Sequence, residues 1–261
     1  MKINMNIPKT RETETKSYSE DERELREELA VAYRLIHHYG MTDTIYSHIS
    51  LRIQEKPAIF LINPYGMLFD EICASNLVRV EVNGNKMEAT DAEVNQAGFT
   101  IHSAIHLGCS DAHAIIHTHT VSGMAVAAME EGLLPLNQTS MEFYNRIAYH
   151  DYEGISLDLD ERDRLVASLG QKKCLILRNH GLLTVGRTVA EAFYYMYYLN
   201  KACEIQVNVL GTNAKPIIPP PEICEHTARQ FEDPTFHDQE VLRVWEANRR
   251  LLNRLDPSYR D

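Results

Sequence analysis

The stretch Ala114-Ile115-Ile116-His117-Thr118-His119 decides how this chain of 261 residues is read. Its apolar start has the look of a short buried β-strand, and it runs straight into two histidines one residue apart. Side chains at i and i+2 of a strand point to the same face, so the two imidazoles can grip one metal ion from adjacent positions. Further on, Cys174-Leu175-Ile176-Leu177 reads as a second buried strand and ends at Arg178-Asn179-His180-Gly181. Were the two strands neighbours, His180 would join His117 and His119. Three imidazole nitrogens with one position left open is the arrangement of catalytic rather than structural zinc.

Outward from these strands, helix and strand alternate. Ser19-Glu20-Asp21-Glu22 has the form of a capping box ahead of Leu25, Leu29, Tyr33 and Ile36 at helical spacing, and Gly40 closes that helix. Residues 46–53, 58–62 and 77–82 read as strands, with Asn83-Gly84 as a hairpin signal after the last. Helices are expected over 99–107, 121–131, 159–169 and 188–210, and Leu182-Leu183-Thr184-Val185 as the hairpin partner of the strand at 174–177. Residues 1–18 are polar and aperiodic and read as a flexible tail. Gly211, Pro216 and Pro219-Pro220-Pro221 break the chain beyond 211. The boundaries expected are therefore a tail at 1–18, one α/β domain at 19–211, and a C-terminal arm at 212–261 carrying an amphipathic helix from His237 to Leu255. His150-Asp151-Tyr152 reads as a turn, His102 and His106 as structural residues on one helix face, and the tyrosines at 194, 195, 197 and 198 as helix packing.

Composition narrows the function. Lys plus Arg is 26 and Asp plus Glu is 37, a formal charge of 26 − 37 = −11. Nucleic-acid binding needs a basic face to neutralise phosphates, and so much acid argues against it. No apolar run approaches the 18 or so residues of a membrane span, and the N-terminal residues carry no apolar signal core. Five cysteines, none in C-x-x-C spacing, point to a reducing cytoplasm rather than a disulfide scaffold.

From Tyr46 to Leu210 the chain resembles the class II aldolase/adducin domain family, over about two-thirds of its length. The motifs are YSHIS (46–50), FLINPYGMLFDEI (60–72), AGFTIHSAIH (97–106), IIHTHT (115–120), GLLPL (132–136), AYHDYEG (148–154), LILRNHGLLTVG (175–186) and EAFYYMYYLNKACEIQV (191–207). The later ones are more similar to the adducin head and its bacterial relatives than to the fuculose- and ribulose-phosphate aldolases and epimerases. The resemblance implies a three-layer α/β/α sandwich around a central, largely antiparallel sheet. It implies a homotetramer with sites at subunit interfaces, and a divalent metal on His117, His119 and His180. Zinc is the expected ion, with iron, manganese or cobalt as alternatives.

The chain also departs from the family pattern. The acidic residue that moves protons in the family's aldolases and epimerases falls at Gly98, four residues before His102. The serines that hold substrate phosphate fall at Gln96 and Ala97, the Gly-Asn phosphate loop at Ser47-His48, and the Thr-Gly turn at Tyr65-Gly66. Metal ligands are retained while the acid/base and the phosphate cradle are not. A metal-dependent carbon–carbon lyase, aldolase or decarboxylase in type, acting through an enediolate on a small non-phosphorylated hydroxy- or oxo-carbonyl compound, fits that pattern. Candidate catalytic groups are Tyr144 and Glu142, with His48, Glu93 and Tyr65 behind them. Candidate substrate contacts are His48, Tyr65, Gly66, Gln96 and Gly98, and His48 could take a carboxylate in place of phosphate. A non-catalytic adducin-like binding module and a three-histidine iron oxygenase are the competing readings.

Overall fold

The computed structural model describes residues 18–87, 90–156 and 160–261. The tail expected at 1–18 lies outside them except for Tyr18, whose ring is covered by the Arg26 guanidinium at 3.7 Å. Seven strands form one sheet: β1 (His48–Glu55), β2 (Ala58–Ile62), β3 (Val78–Glu81), β4 (Ala114–Thr118), β5 (Ile147–His150), β6 (Cys174–Leu177) and β7 (Gly181–Gly186). Their spatial order is β3-β2-β1-β4-β7-β6-β5. Every pairing is antiparallel except that of β5 with β6.

The sheet is covered on both faces because its central strands are apolar on both sides. In β4, Ile116 joins a core with Leu29, Tyr33, Phe193 and Leu199, while its neighbour Ile115 joins a second core with Ile105, Leu165 and Leu175. The first core is closed by α1 (Glu20–His38) and α6 (Val189–Gly211), the second by α2 (Gln96–Gly108) and α5 (Glu161–Leu169). This gives the three-layer α/β/α order expected.

Local rules set the ends of α1. The Ser19 hydroxyl accepts from the Glu22 N–H at 3.2 Å. The Glu22 carboxylate does not return to complete the box; it accepts instead from Arg26 Nε at 2.8 Å. At the other end the Met41 N–H donates to the Ile36 carbonyl and the Gly40 N–H to that of His37, with Gly40 at φ +66°. That is a Schellman closure, whose left-handed residue favours glycine.

Several elements differ from the sequence expectation. The four-residue strand β5 was not foreseen, and His150 closes it instead of opening a turn. Too short to show a period of two, it is held by pairing with β6. The helix α3 (Val121–Ala127) stops short of residue 131, and α4 (Gln138–Glu142) is an added turn. Leu159, expected to open the third helix, lies outside the described residues. The proline run at 219–221 also starts a helix, α7 (Pro221–Phe231), because proline suits the first turn, where no N–H bond is due. The helix α8 (Pro234–Leu255) begins three residues earlier than expected, capped by Asp233. Trp245 of α8 packs on Phe193 with ring centroids 5.7 Å apart, Tyr39 donates to Asn248 Oδ1, and Arg34 pairs with Asp256 at 2.8 Å. The segment after 212 is thereby packed on α1 and α6.

Tyr33 fixes the start of β1 against the end of β2. Its buried hydroxyl accepts from the Ile49 N–H at 3.0 Å and the Asn63 N–H at 2.9 Å, and meets the Ile49 carbonyl. Tyr33→Phe keeps the packing and strands two backbone donors in the core. It is expected to lower the free energy of unfolding by about 2 kcal/mol, read from urea titrations followed by circular dichroism.

Candidate functional site

The three Nε2 atoms of His117, His119 and His180 meet at one point. They are 2.8 Å apart between His117 and His119, 3.3 Å between His117 and His180, and 3.0 Å between His119 and His180. The route to this convergence is not the one the sequence suggests. Strands β4 and β6 are not neighbours, since β7 lies between them. His180 reaches the cluster from the tight β6–β7 turn. Its N–H donates to the Leu177 carbonyl at 3.1 Å, and Asn179 before it takes φ +56°. β7 then pairs with β4, Leu182 opposite Thr118 and Leu183 opposite His117. Gly181 permits the approach, because a Cβ there would stand 2.5 Å from the Thr118 carbonyl oxygen.

Hydrogen bonds settle which ring nitrogens carry protons. His117 Nδ1 lies 2.9 Å from the Leu182 carbonyl and His119 Nδ1 lies 3.1 Å from Asp43 Oδ2. Carbonyls and carboxylates only accept, so each Nδ1 holds the proton and each Nε2 presents a bare lone pair. Burial, with the neighbouring imidazoles adding to it, pushes the pKa of His117 well down and that of His180 down to about 4. Neutral rings with lone pairs at these separations repel one another unless a cation stands among them. Zn–N bonds of about 2.0–2.1 Å in tetrahedral geometry place ligand nitrogens about 3.3 Å apart, close to the observed spacing. The donor set therefore fits a divalent metal, with the Asp43 carboxylate behind His119 as the orienting partner that metal-bound imidazoles usually have.

The cluster opens into a cleft of about 630 Å³, and the lining includes Asp43, His48, Tyr65, Glu93, Gln96 and Tyr152. Of the expected substrate contacts, His48, Tyr65 and Gln96 thus line the triad's cleft. Gly66 does not, and Gly98 is buried at the foot of α2 beneath the His48 ring, where a Cβ would fall 2.7 Å from His48 Cδ2. The expected catalytic residues Glu142 and Tyr144 do not line this cleft within one chain. Glu142 borders a separate pocket with Cys174, Tyr195 and His237. Burial pushes its carboxyl up to about 8, against a weaker opposing hydrogen bond from Tyr194. Asp43 and Tyr152 were missed from the sequence. Asp43 lies in a loop with no motif around it; Tyr152 falls in His150-Asp151-Tyr152, where a turn carries no sign of a ligand-facing side chain.

Comparison with known proteins gives the family. Residues 27–207 match the Class II Aldolase and Adducin N-terminal domain. The chain belongs to that family. Among solved structures, an aldolase II superfamily protein from Pseudomonas syringae is 46% identical, with 94% of this chain and 98% of that one covered and a TM-score of 0.87. The L-fuculose 1-phosphate aldolase of Glaciozyma antarctica is 27% identical, with 96% and 97% covered and a TM-score of 0.80. Rat alpha-adducin is 46% identical over 203 residues, which are 77% of this chain and 28% of the adducin. This aldolase/adducin-family chain thus resembles an enzyme along nearly its whole length and a much longer protein in one part.

Two substitutions test the packing around these groups. Alanine outranks glycine in helices by about 1 kcal/mol, yet Gly98→Ala is expected to destabilise by about 1–3 kcal/mol, because its methyl meets the His48 ring; thermal melts read the sign. For Glu142 the raised folded-state pKa means that the native protein holds a proton the unfolded chain releases, so stability falls as pH rises from about 5 to about 8. Glu142→Gln is expected to flatten that slope and to be the more stable protein at pH 8, in parallel urea titrations.

Proposed function

We propose that this chain holds a divalent metal on His117, His119 and His180 and is a carbon–carbon lyase of the aldolase or decarboxylase type. Its substrate in this reading is a small, non-phosphorylated hydroxy- or oxo-carbonyl compound. The observation that carries the reading is the meeting of three Nε2 atoms at 2.8–3.3 Å, two of them stripped of protons by Leu182 O and Asp43, at the edge of a cleft. A divalent ion there supplies Lewis-acid polarisation of a substrate oxygen. The residues around it orient and select. Asp43 holds the His119 ring, and Tyr65, Gln96 and Glu93 offer polar contacts along the cleft.

The unphosphorylated substrate is supported by the cleft's charge. Among the described residues no lysine or arginine lines it, while Asp43 and Glu93 do. Ser47, at a phosphate-loop position of the family, is fully buried with its hydroxyl unpartnered. A dianionic phosphate would find no basic side chain in the described lining to neutralise it. The homotetramer belongs to the same proposal, favoured by exposed apolar side chains near the cluster, Val121 at 82% and Ile155 at 74% exposure. So does a reducing cytoplasm, favoured by five free cysteines, three of them buried. Among the described residues no helix is long and apolar enough to cross a membrane.

Elemental mass spectrometry of protein purified without chelators decides the reading. About one zinc or manganese per chain, lost in His117→Ala/His119→Ala while the oligomer persists, is the expected result. Iron in that place would favour oxygen chemistry. Absence of metal after adding divalent ions would favour a binding module, the second reading that the likeness to alpha-adducin supports. Asp43→Asn is expected to weaken metal affinity roughly 10–100-fold, read by competition with a chelating dye. A phosphorylated sugar turned over faster than its unphosphorylated analogue would overturn the substrate class.

A further inference from the structure

A second set of histidines lies behind the cleft. His106 Nδ1 stands 3.0 Å from the Ala112 carbonyl, and its Nε2 stands 2.7 Å from the Ser50 hydroxyl. Ser50 Oγ is 2.5 Å from His102 Nδ1, and His102 Nε2 is 2.8 Å from His48 Nδ1. His106, Ser50, His102 and His48 are all buried. His48 alone of the four also lines the cleft, where its Cδ2–Nε2 edge passes over the space left by Gly98.

A chain of neutral imidazoles and one hydroxyl can run in only two directions. In one, His106 Nδ1–H donates to Ala112, Ser50 donates to His106 Nε2, His102 Nδ1–H donates to Ser50, and His48 Nδ1–H donates to His102 Nε2. In the other, every donor is reversed, and His106 Nδ1 then faces the Ala112 carbonyl lone pair to lone pair. The carbonyl has no proton to give, and a buried acceptor pair left unbridged costs about 1–3 kcal/mol. The first direction prevails. All three rings are buried, which disfavours charge on them, and the pKa of His106 is lowered to about 3 by that burial.

We infer that this chain, running from the Ala112 carbonyl through His106, Ser50 and His102, locks His48 with its proton on Nδ1, so that Nε2 is a fixed acceptor that receives the hydroxyl of a substrate in the cleft. The inference rests on the reading of that cleft as the substrate site, and it deepens it. The substrate carries a hydroxyl at the end away from the metal-polarised oxygen. A carboxylate there would meet a lone pair, which replaces the expectation that His48 takes an anion. His48 is the contact, while Ser50, His102 and His106 are positioning residues.

Histidine-selective nitrogen NMR on metal-free full-length protein at neutral pH reads each ring's tautomer, with His48→Gln assigning the His48 signals. His48, His102 and His106 are expected to carry the proton on Nδ1. Ser50→Ala should release His48 into a mixture of tautomers, and Ser50→Thr, which keeps the hydroxyl, should restore the single form. A proton on His48 Nε2 in the wild type overturns the inference, as does a His48 tautomer indifferent to Ser50→Ala. The recognition step is tested with cobalt-loaded protein and two probes, glycolate and methoxyacetate, titrated against the visible absorbance of the ion. Wild type should prefer glycolate, and Ser50→Ala should lose roughly fivefold of that preference, the worth of one hydrogen bond. An unchanged preference overturns the hydroxyl contact. Failure of cobalt to bind at all overturns the metal reading instead, and the tautomer spectrum, taken without metal, tells that failure from failure of the chain.

Discussion

The contact between Gly181 and the Thr118 carbonyl sets the geometry on which the candidate site depends. With hydrogen at position 181, β7 starts hard against the end of β4, and the turn before it carries His180 to within 3.3 Å of His117 Nε2 and 3.0 Å of His119 Nε2. Any larger side chain would push the turn away from the carbonyl, since a Cβ would stand at 2.5 Å. The same pairing places the Leu182 carbonyl beneath His117 Nδ1. One backbone approach thus does two things, gathering three rings and choosing the tautomer of the most buried one. The sheet supplies the stiffness: β4 is flanked by β1 and β7 and packed on both faces, so neither strand end can drift to relieve the repulsion among lone pairs.

Much of this was legible in the sequence where the signal is local. His117-Thr118-His119 after an apolar run, and His180 before Gly181, needed only period-two geometry and ligand chemistry. The strand order was not legible, because β7 slips between β4 and β6 by pairing that no residue type announces. For β5 the reason is similar: four residues show no period, and their place comes from β6. One proline misleads by position, since Pro221 opens a helix in a run that reads as a breaker. His102 and His106 read as packing on a helix face, and burial bears that out, yet their partner Ser50 lies on β1, some fifty residues earlier in the chain. Spacing within a helix cannot reveal an acceptor on another element. Asp43 escaped for the same reason: its role exists only through the fold that brings it to His119.

Position 98 shows how two departures from the family pattern belong together. Read singly, Gly98 is a lost acid and His48 a lost phosphate ligand. In the structure they occupy one volume: the His48 ring fills the space a side chain at 98 would need, with Cδ2 2.7 Å and Nε2 2.9 Å from where a Cβ would stand. An acidic side chain on α2 and this imidazole on β1 exclude each other sterically. The exchange also changes the electrostatics. A carboxylate would bring charge to the foot of the cleft, whereas a neutral imidazole brings only a lone pair. Beside a cleft that already holds Asp43 and Glu93 and no cation among its described lining, the neutral group keeps the negative potential from rising further.

The two histidine sets obey one rule with opposite results. In each, a main-chain carbonyl fixes a proton on Nδ1, Leu182 for His117 and Ala112 for His106, and so bares the Nε2 of the same ring. At His117 the bare nitrogen joins two others around a common point, where repulsion makes a cation the natural occupant. At His106 the bare nitrogen is met by a hydroxyl, and the preference passes through Ser50 and His102 to emerge at His48. His48 and His117 stand side by side, ring centroids 4.9 Å apart, on paired strands with the two residues opposite one another. The cleft therefore presents a cluster that attracts positive charge next to an acceptor that attracts a donor proton, the first set by a carbonyl of β7 and the second by a carbonyl of the loop before β4. With a divalent ion on the cluster, a neutral hydroxy-carbonyl compound suits both groups at once, an oxygen toward the ion and a hydroxyl toward His48. A fully ionised phosphate has no proton to give His48.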